Sequence, residues 1–165
     1  MTSRALWREG AKFVIKQQLI LLAFHPTQSA DADSLVALRI AAMQESLERV
    51  GRFDPVRARE RFLGGFDPAC TWHVELGAQR VGFFVVKPAV DHLLLDHLYI
   101  HPDFQRRGFG AAVLRHVTAQ ADRERLELRL AALIGSDSNR FYQRHGFVEI
   151  GRGEFDIHYA RGIAG

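Results

Sequence analysis

Residues 92 to 133 constrain the fold more than any other part of the chain. The apolar run "HLLLDHLYI" leads into "HPDFQRRGFG"; Gly110, Val113, Leu114, Val117 and Ala121 then follow at helical spacing, and "LELRLAAL" closes the unit. An apolar run without an open polar face reads as a buried strand, the spacing as one face of an amphipathic helix, and the last segment as a second strand. Strand, helix and strand in that order form a parallel pair with a right-handed crossover. The turn before the helix carries Gln105, Arg106, Arg107, Gly108 and Gly110. A helix start has unpaired N–H groups and partial positive charge, so glycines there let an anion approach the backbone. The turn suits a pyrophosphate cradle, although two glycines at a strand-to-helix turn, taken alone, are more often structural. It is not a Walker A loop, since no Lys-Ser/Thr pair follows, nor a full GxGxxG fingerprint, since Val113 stands at the third glycine position.

The rest of the chain builds outward from this unit. Leu19 to Phe24 reads as a first strand. Val36, Ile40, Met43, Leu47 and Val50 then mark one face of a helix, with an Asp available as N-cap and Gly51 as its stop. Asp54-Pro55 opens a second helix that Gly64-Gly65 ends. Alternation from Thr71 and a turn at "GAQ" make Thr71 to Lys87 a hairpin. In the strand that follows, strict alternation sets Leu94, Asp96, Leu98 and Ile100 on one side and Leu93, Leu95, His97 and Tyr99 on the other. "SDSNRFYQRHGF" holds a short helix for Ser136 or Ser138 to cap and Gly146 to stop. Phe147 to Ile150 and Phe155 to Tyr159 are closing strands. The fold class is α/β, a central mixed twisted sheet with helices on both faces.

A chain of 165 residues with 47% hydrophobic content suits one domain with a real core, here residues 19 to 165. Residues 1 to 18 are the least patterned and are read as an extension of unassigned role, helical if regular. Leu19 to Phe24 is far shorter than the roughly 20 residues of a spanning helix, and His25-Pro26 follow it in place of a signal-peptidase site. No membrane association is expected. One cysteine, Cys70, excludes an internal disulfide and fits a reducing, cytoplasmic compartment. The net charge of +3 is scattered and almost all arginine, without a basic block or interleaved aromatics, so no nucleic-acid partner is expected. His97 and His101 straddle a strand end, but no second pair of histidines has ligand spacing, and no metal is expected.

Two motifs in order raise the specificity of this reading. "LYIHPDFQRRGFG", an amphipathic helix, a strand and then "SNRFYQRHGF" resemble the GCN5-related N-acetyltransferase (GNAT) family, whose acyl-CoA loop is written Q/R-x-x-G-x-G/A. Gln105-Arg106-Arg107-Gly108-Phe109-Gly110 matches that loop, and Asn139, Phe141, Tyr142, Gly146 and Phe147 match the second marker. The resemblance is close from Thr71 to Phe147 and is carried by element order from Leu19 to Tyr159. It implies the GNAT acyl-CoA fold, with acetyl-CoA as co-substrate. The strand bearing Leu98, Tyr99 and Ile100 would part from the strand after the helix, and the pantetheine arm would lie in the gap on backbone groups of Leu98 and Ile100. The N–H groups of Arg106 to Gly110 would hold the pyrophosphate, and Asn139 would bond the arm.

The same resemblance implies acetyl transfer to a primary amine, of a small molecule or a protein, by direct attack in a ternary complex. An amine of lysine type has a pKa of about 10.4, so it must lose a proton to attack, and the departing thiolate gains from receiving one. Tyr142 takes the place of the family's general acid, and the Leu98 N–H that of the oxyanion donor. Asp96 is the first choice as base, with His73 and Glu75 on the neighbouring hairpin as alternatives, while His97 is expected on the opposite face, packed or solvated there. Acceptor contacts are expected at Glu45, Arg49, Arg52, Phe53 and His73. A homodimer through the sheet edge or the final strands is compatible with the resemblance, although nothing in the sequence demands it. Fold does not fix function, so a non-catalytic acyl-CoA sensor or interaction domain of the same fold is the alternative.

Overall fold

The computed structural model describes residues 11–15 and 18–164. Among them, eight strands form one sheet: β1 (Ala11–Ile15), β2 (Gln18–Pro26), β3 (Thr71–Leu76), β4 (Gln79–Pro88), β5 (His92–Ile100), β6 (Glu127–Leu133), β7 (Val148–Arg152) and β8 (Asp156–Arg161), in the order β1-β2-β3-β4-β5-β6-β8-β7. Every neighbouring pair is antiparallel except β5 and β6, the parallel pair expected from the crossover. The expectation of helix before residue 19 fails where it can be followed, because Ala11 to Ile15 is a strand paired with Gln18 to Leu22. Residues 1 to 10, 16, 17 and 165 lie outside the described ones. No described helix is long and apolar enough to cross a membrane.

Helices α1 (Ala32–Arg49) and α2 (Pro55–Gly65) cover one face, where Leu35, Val36 and Phe62 pack on Phe83 and Val85 of β4. Asp54 caps α2 as its sequence suggests, its Oδ1 accepting the Arg57 N–H at 3.1 Å, with Pro55 in the first helical position. Helices α3 (Phe109–Glu124) and α4 (Ser138–Arg144) belong to the other face. There Phe109, Val113, Leu114 and Val117 pack with Phe24, Trp72, Phe84, Leu128 and Tyr159. Burying both faces explains why β4 and β5 read as nearly continuous apolar runs.

Two irregularities in β5 position the site. Val85 pairs with His97 but Val86 pairs with Leu95, so Asp96 is an extra residue, a β-bulge. The expected alternation therefore breaks at Asp96. Leu98 and Ile100 join Leu93 and Leu95 on the α3 face, whereas Tyr99 packs with the α1/α2 cluster and the His97 ring lies 5.7 Å from that of Phe62. Asp96 and His97 thus face the same cleft, not opposite ones. The second irregularity is a splay. Pairing of β5 with β6 runs from His92–Glu127 to Leu95–Leu130 and stops there, while β6 continues to Leu133 on β8.

Candidate active site

The glycine turn forms one mouth of the splay. Arg106 and Gly108 both adopt left-handed backbone, with φ of 61° and 86°. Gly108 occupies the N-cap of α3 without a capping side chain, and the Ala112 N–H is bonded to the Gly108 carbonyl at 3.0 Å. The leading amides of α3 consequently point out of the helix end, beside a cleft of about 660 Å³ lined by Gln105, Arg106, Gly108, Gly110, Ser138 and Tyr142, among others. A Cβ on Gly110 would lie 3.7 Å from Phe141, so this glycine leaves the cleft open without being required by packing. Gln105 stiffens the turn, its Nε2 donating to the Ile100 carbonyl at 2.9 Å. Phe109 turns its side chain into the core, and the Arg107 guanidinium lies 5.4 Å from the centre of the Phe104 ring. The backbone thus faces the cleft at Phe109, and Arg107 is not among the residues that line it.

A throat of about 200 Å³ passes through the splay between Asp96–Ile100 and Ala131–Leu133, with Tyr142 and Ser138 at its side. Beyond it opens a third space of about 520 Å³ against α1 and α2, whose lining includes Arg39, Met43, Phe53, Asp96, His97 and Tyr99. The throat shares Leu98, Ile100 and Tyr142 with the first cleft and Asp96, His97 and Tyr99 with the far space, and so joins the two, which share no lining residue themselves, into one passage. Tyr142 is buried against Phe141 and Phe147, and burial pushes its phenol above its ordinary value, so it stays protonated. Burial also pushes the Asp96 carboxyl up. The Lys87 ammonium, 2.7 Å away, together with His97 and Arg39 outweighs that and leaves it below the ordinary carboxylate value. Burial, helped by Arg39, Lys87 and Arg61, lowers His97 to about 4 against the pull of Asp96. At neutral pH the far mouth of the throat therefore holds a carboxylate and a neutral imidazole, with Asp96 Oδ2 3.8 Å from His97 Nε2 and the Tyr99 hydroxyl 3.2 Å from His97 Nδ1.

Several expected residues lie elsewhere. Asn139 does not line the passage: its Nδ2 donates to the carbonyls of Leu133 and Ser136, both at 2.9 Å, and its Oδ1 accepts from the Tyr159 hydroxyl, also at 2.9 Å. It ties the end of β6 to α4 and β8, and its amide has no hydrogen left for a cofactor arm. Glu45 and Arg49 line the cleft of the glycine turn, not the space beyond the throat, and Arg49 bridges Glu45 and Asp137. His73 is buried on β3 with its Nε2 3.1 Å from Asp31, outside the passage, and Glu75 pairs with His25 and Arg80. Phe53 and Arg52 do reach the far space. Sequence reasoning passed over Lys87 and Arg39. The signal for Arg39 was present, since it stands three residues after Val36 and four before Met43, on the apolar stripe of α1.

Comparison with known proteins agrees with this geometry. A family profile described as an acetyltransferase (GNAT) domain matches residues 67–149. A GCN5-like protein acetyltransferase of Mycobacterium tuberculosis is 35% identical over 85 residues, 48% of this chain and 41% of that protein, so the chain matches less than half of its relative's length. The fold is shared with the PaiA N-acetyltransferase of Thermoplasma acidophilum, solved in complex with coenzyme A, at a TM-score of 0.69 and 13% identity over 86% of this chain and 98% of that one. An acetyltransferase of Thermus thermophilus aligns with a TM-score of 0.66 and 22% identity over 85% and 96% of the two chains. With its parallel pair splayed beside a glycine turn and a family profile matching half its length, the chain belongs to the GNAT acetyltransferase family.

Proposed function

We propose that the protein moves an acetyl group from acetyl-CoA to a primary amine by direct attack in a ternary complex. The observation that carries this reading is the passage itself: the glycine turn opens into one end, Asp96 and His97 into the other, and Tyr142 flanks the throat between them. The pyrophosphate rests on the amides at the start of α3 and the pantetheine arm enters the splay. The amine approaches from the α1/α2 side and its nitrogen bonds to the acetyl carbon. Leu98, in the stretch of β5 past its last pairing with β6, offers its N–H to the oxyanion. The amine attacks as its free base, and Asp96 takes the proton that the nitrogen sheds once it has bonded, directly or through a water. A nitrogen already bonded to the tetrahedral carbon is far more acidic than a free ammonium, so a weakly basic carboxylate suffices. Collapse breaks the C–S bond, and the Tyr142 phenol gives its proton to the departing sulfur, with a proton from solvent restoring the phenol before the next turnover.

His97 is a second reading for the base, because the bulge turns it into the same cleft and burial keeps it neutral at pH 7. The deciding experiment incubates acetyl-CoA with a panel of amines and follows released thiol. Tyr142→Phe is expected to lower kcat by about 10²- to 10⁴-fold while calorimetry shows coenzyme A affinity within a few-fold of the original. Coenzyme A binding without turnover of any amine would instead favour the sensor reading, and failure to bind it would overturn both.

A further inference from the structure

Arg39 is the least expected group in the space beyond the throat. It is 9% exposed, in the apolar stripe of α1, yet its charge meets no carboxylate at ion-pair distance among the described residues. Its Nη1 donates to the Ala58 carbonyl at 2.8 Å, its guanidinium lies 6.0 Å from the centre of the Tyr99 ring, and its Nε–H has no acceptor. Burying a cation with only neutral partners and leaving a donor unmet are both costly. The carboxylate of Asp96, which feels the Arg39 charge, is committed to Lys87 at 2.7 Å. Arg57 and Arg61 line the same space, and neither pairs with a carboxylate among the described residues, whereas the neighbouring Arg59 on α2 pairs with Asp33 at 2.7 Å. The other carboxylates there are Asp54, which caps α2, and Asp156. Four guanidiniums, those of Arg39, Arg52, Arg57 and Arg61, thus meet three carboxylates around this space, and Arg39 is the one that is buried without a carboxylate at ion-pair distance among the described residues.

We infer that this space takes an amine that also carries a carboxylate, an amino acid, whose carboxylate is held by the Arg39 guanidinium while its nitrogen faces Asp96 at the throat. The inference rests on the acetyl-transfer reading above. Arginine presents a planar fork that matches a carboxylate. Asp96 and Arg39 are close enough to interact electrostatically, which suits an amine and a carboxylate a few bonds apart in one small molecule.

The test compares α-amino acids with their decarboxylated amines and their amides as acceptors. For the best acceptors, kcat/KM is expected to favour the acid by at least about tenfold, the scale of one charge-assisted hydrogen bond. Arg39→Met should bring that ratio close to one, and Arg61→Gln should narrow it. Because Arg39 also anchors Ala58, Arg39→Lys, which keeps the charge and loses the fork, guards against a folding defect and should also reduce the ratio. Equal use of acids and decarboxylated amines, or a ratio untouched in all three variants, would overturn the inference and leave acetyl transfer standing. If coenzyme A binds but no amine reacts, the acetyl-transfer reading falls. Thermal stabilisation of the coenzyme A complex by N-acetyl amino acids then decides the carboxylate site: loss of that shift in Arg39→Met supports it, and absence of any shift in the unaltered protein overturns it.

Discussion

At the residue scale, the ion pair of Lys87 and Asp96 sets the working range of the proposed base. Asp96 is held below its ordinary value because Lys87, His97 and Arg39 together overcome the effect of burial. Replacing Lys87 with Met removes the largest of these opposing influences and leaves burial less opposed, so the Asp96 pKa should rise. A base works only while deprotonated. The acid limb of the kcat/KM profile should therefore move to higher pH in Lys87→Met. A limb that stays in place, with activity retained in Asp96→Asn, would assign the proton to His97 instead. Asp96 was legible in the sequence through its place two residues before Leu98, but Lys87 was not, because only the β4–β5 pairing brings it across. The same limit explains Asn139: its motif position was legible, while the Tyr159 hydroxyl that occupies its oxygen comes from a strand 20 residues later.

At the scale of elements, the glycines of β4 and of the first turn of α3 do different work. Gly82 on β4 lies opposite Ile100, and a Cβ there would stand 2.4 Å from the Tyr99 carbonyl oxygen and 2.8 Å from Ile100 Cδ1. Backbone cannot move aside as a side-chain tip can. Gly82→Ala should thus cost about 2 kcal/mol or more, as overpacking commonly does, read as a lower urea midpoint. Gly110→Ala, with its nearest neighbour at 3.7 Å, should fold normally. Gly110→Val, whose larger side chain intrudes where the pyrophosphate is proposed to sit, should lose at least about tenfold in coenzyme A affinity by calorimetry, a price of roughly 1.4 kcal/mol. The strand and helix order was legible because period and turn residues agreed from Thr71 onward. The bulge was not, since an extra residue leaves the composition of an apolar strand unchanged, and it reversed the faces assigned to Leu98 and Ile100.

At the scale of the whole molecule, the sheet separates two environments that each half-bury an imidazole. His97 lies on the α1/α2 side. Burial, with Arg39, Lys87 and Arg61 acting in the same direction and Asp96 against them, lowers it from 6.5 to about 4. His116 on α3 packs against Phe24 at 4.6 Å on the other side, and burial followed by Arg123 lowers it likewise to about 4. In the unfolded chain both would titrate at their ordinary value. Between 6.5 and 4 the unfolded state therefore binds protons that the folded state refuses, and stability falls as pH falls through that window. The loss should be on the order of 3 kcal/mol for His97 and smaller for the more exposed His116, a large part of the 5–15 kcal/mol typical of a domain. Carboxylates held below their ordinary value, such as Asp31, Asp96 and Asp122, act in a separate window, losing their contribution only as pH falls below about 3.8. Urea midpoints measured from pH 7 to 4.5 should decline steadily, and the decline should flatten in the double variant His97→Gln, His116→Leu. A curve already flat over that range in the unaltered protein would mean that both rings accept protons as readily folded as unfolded, and the neutral imidazole beside Asp96 could then no longer be counted on near pH 6.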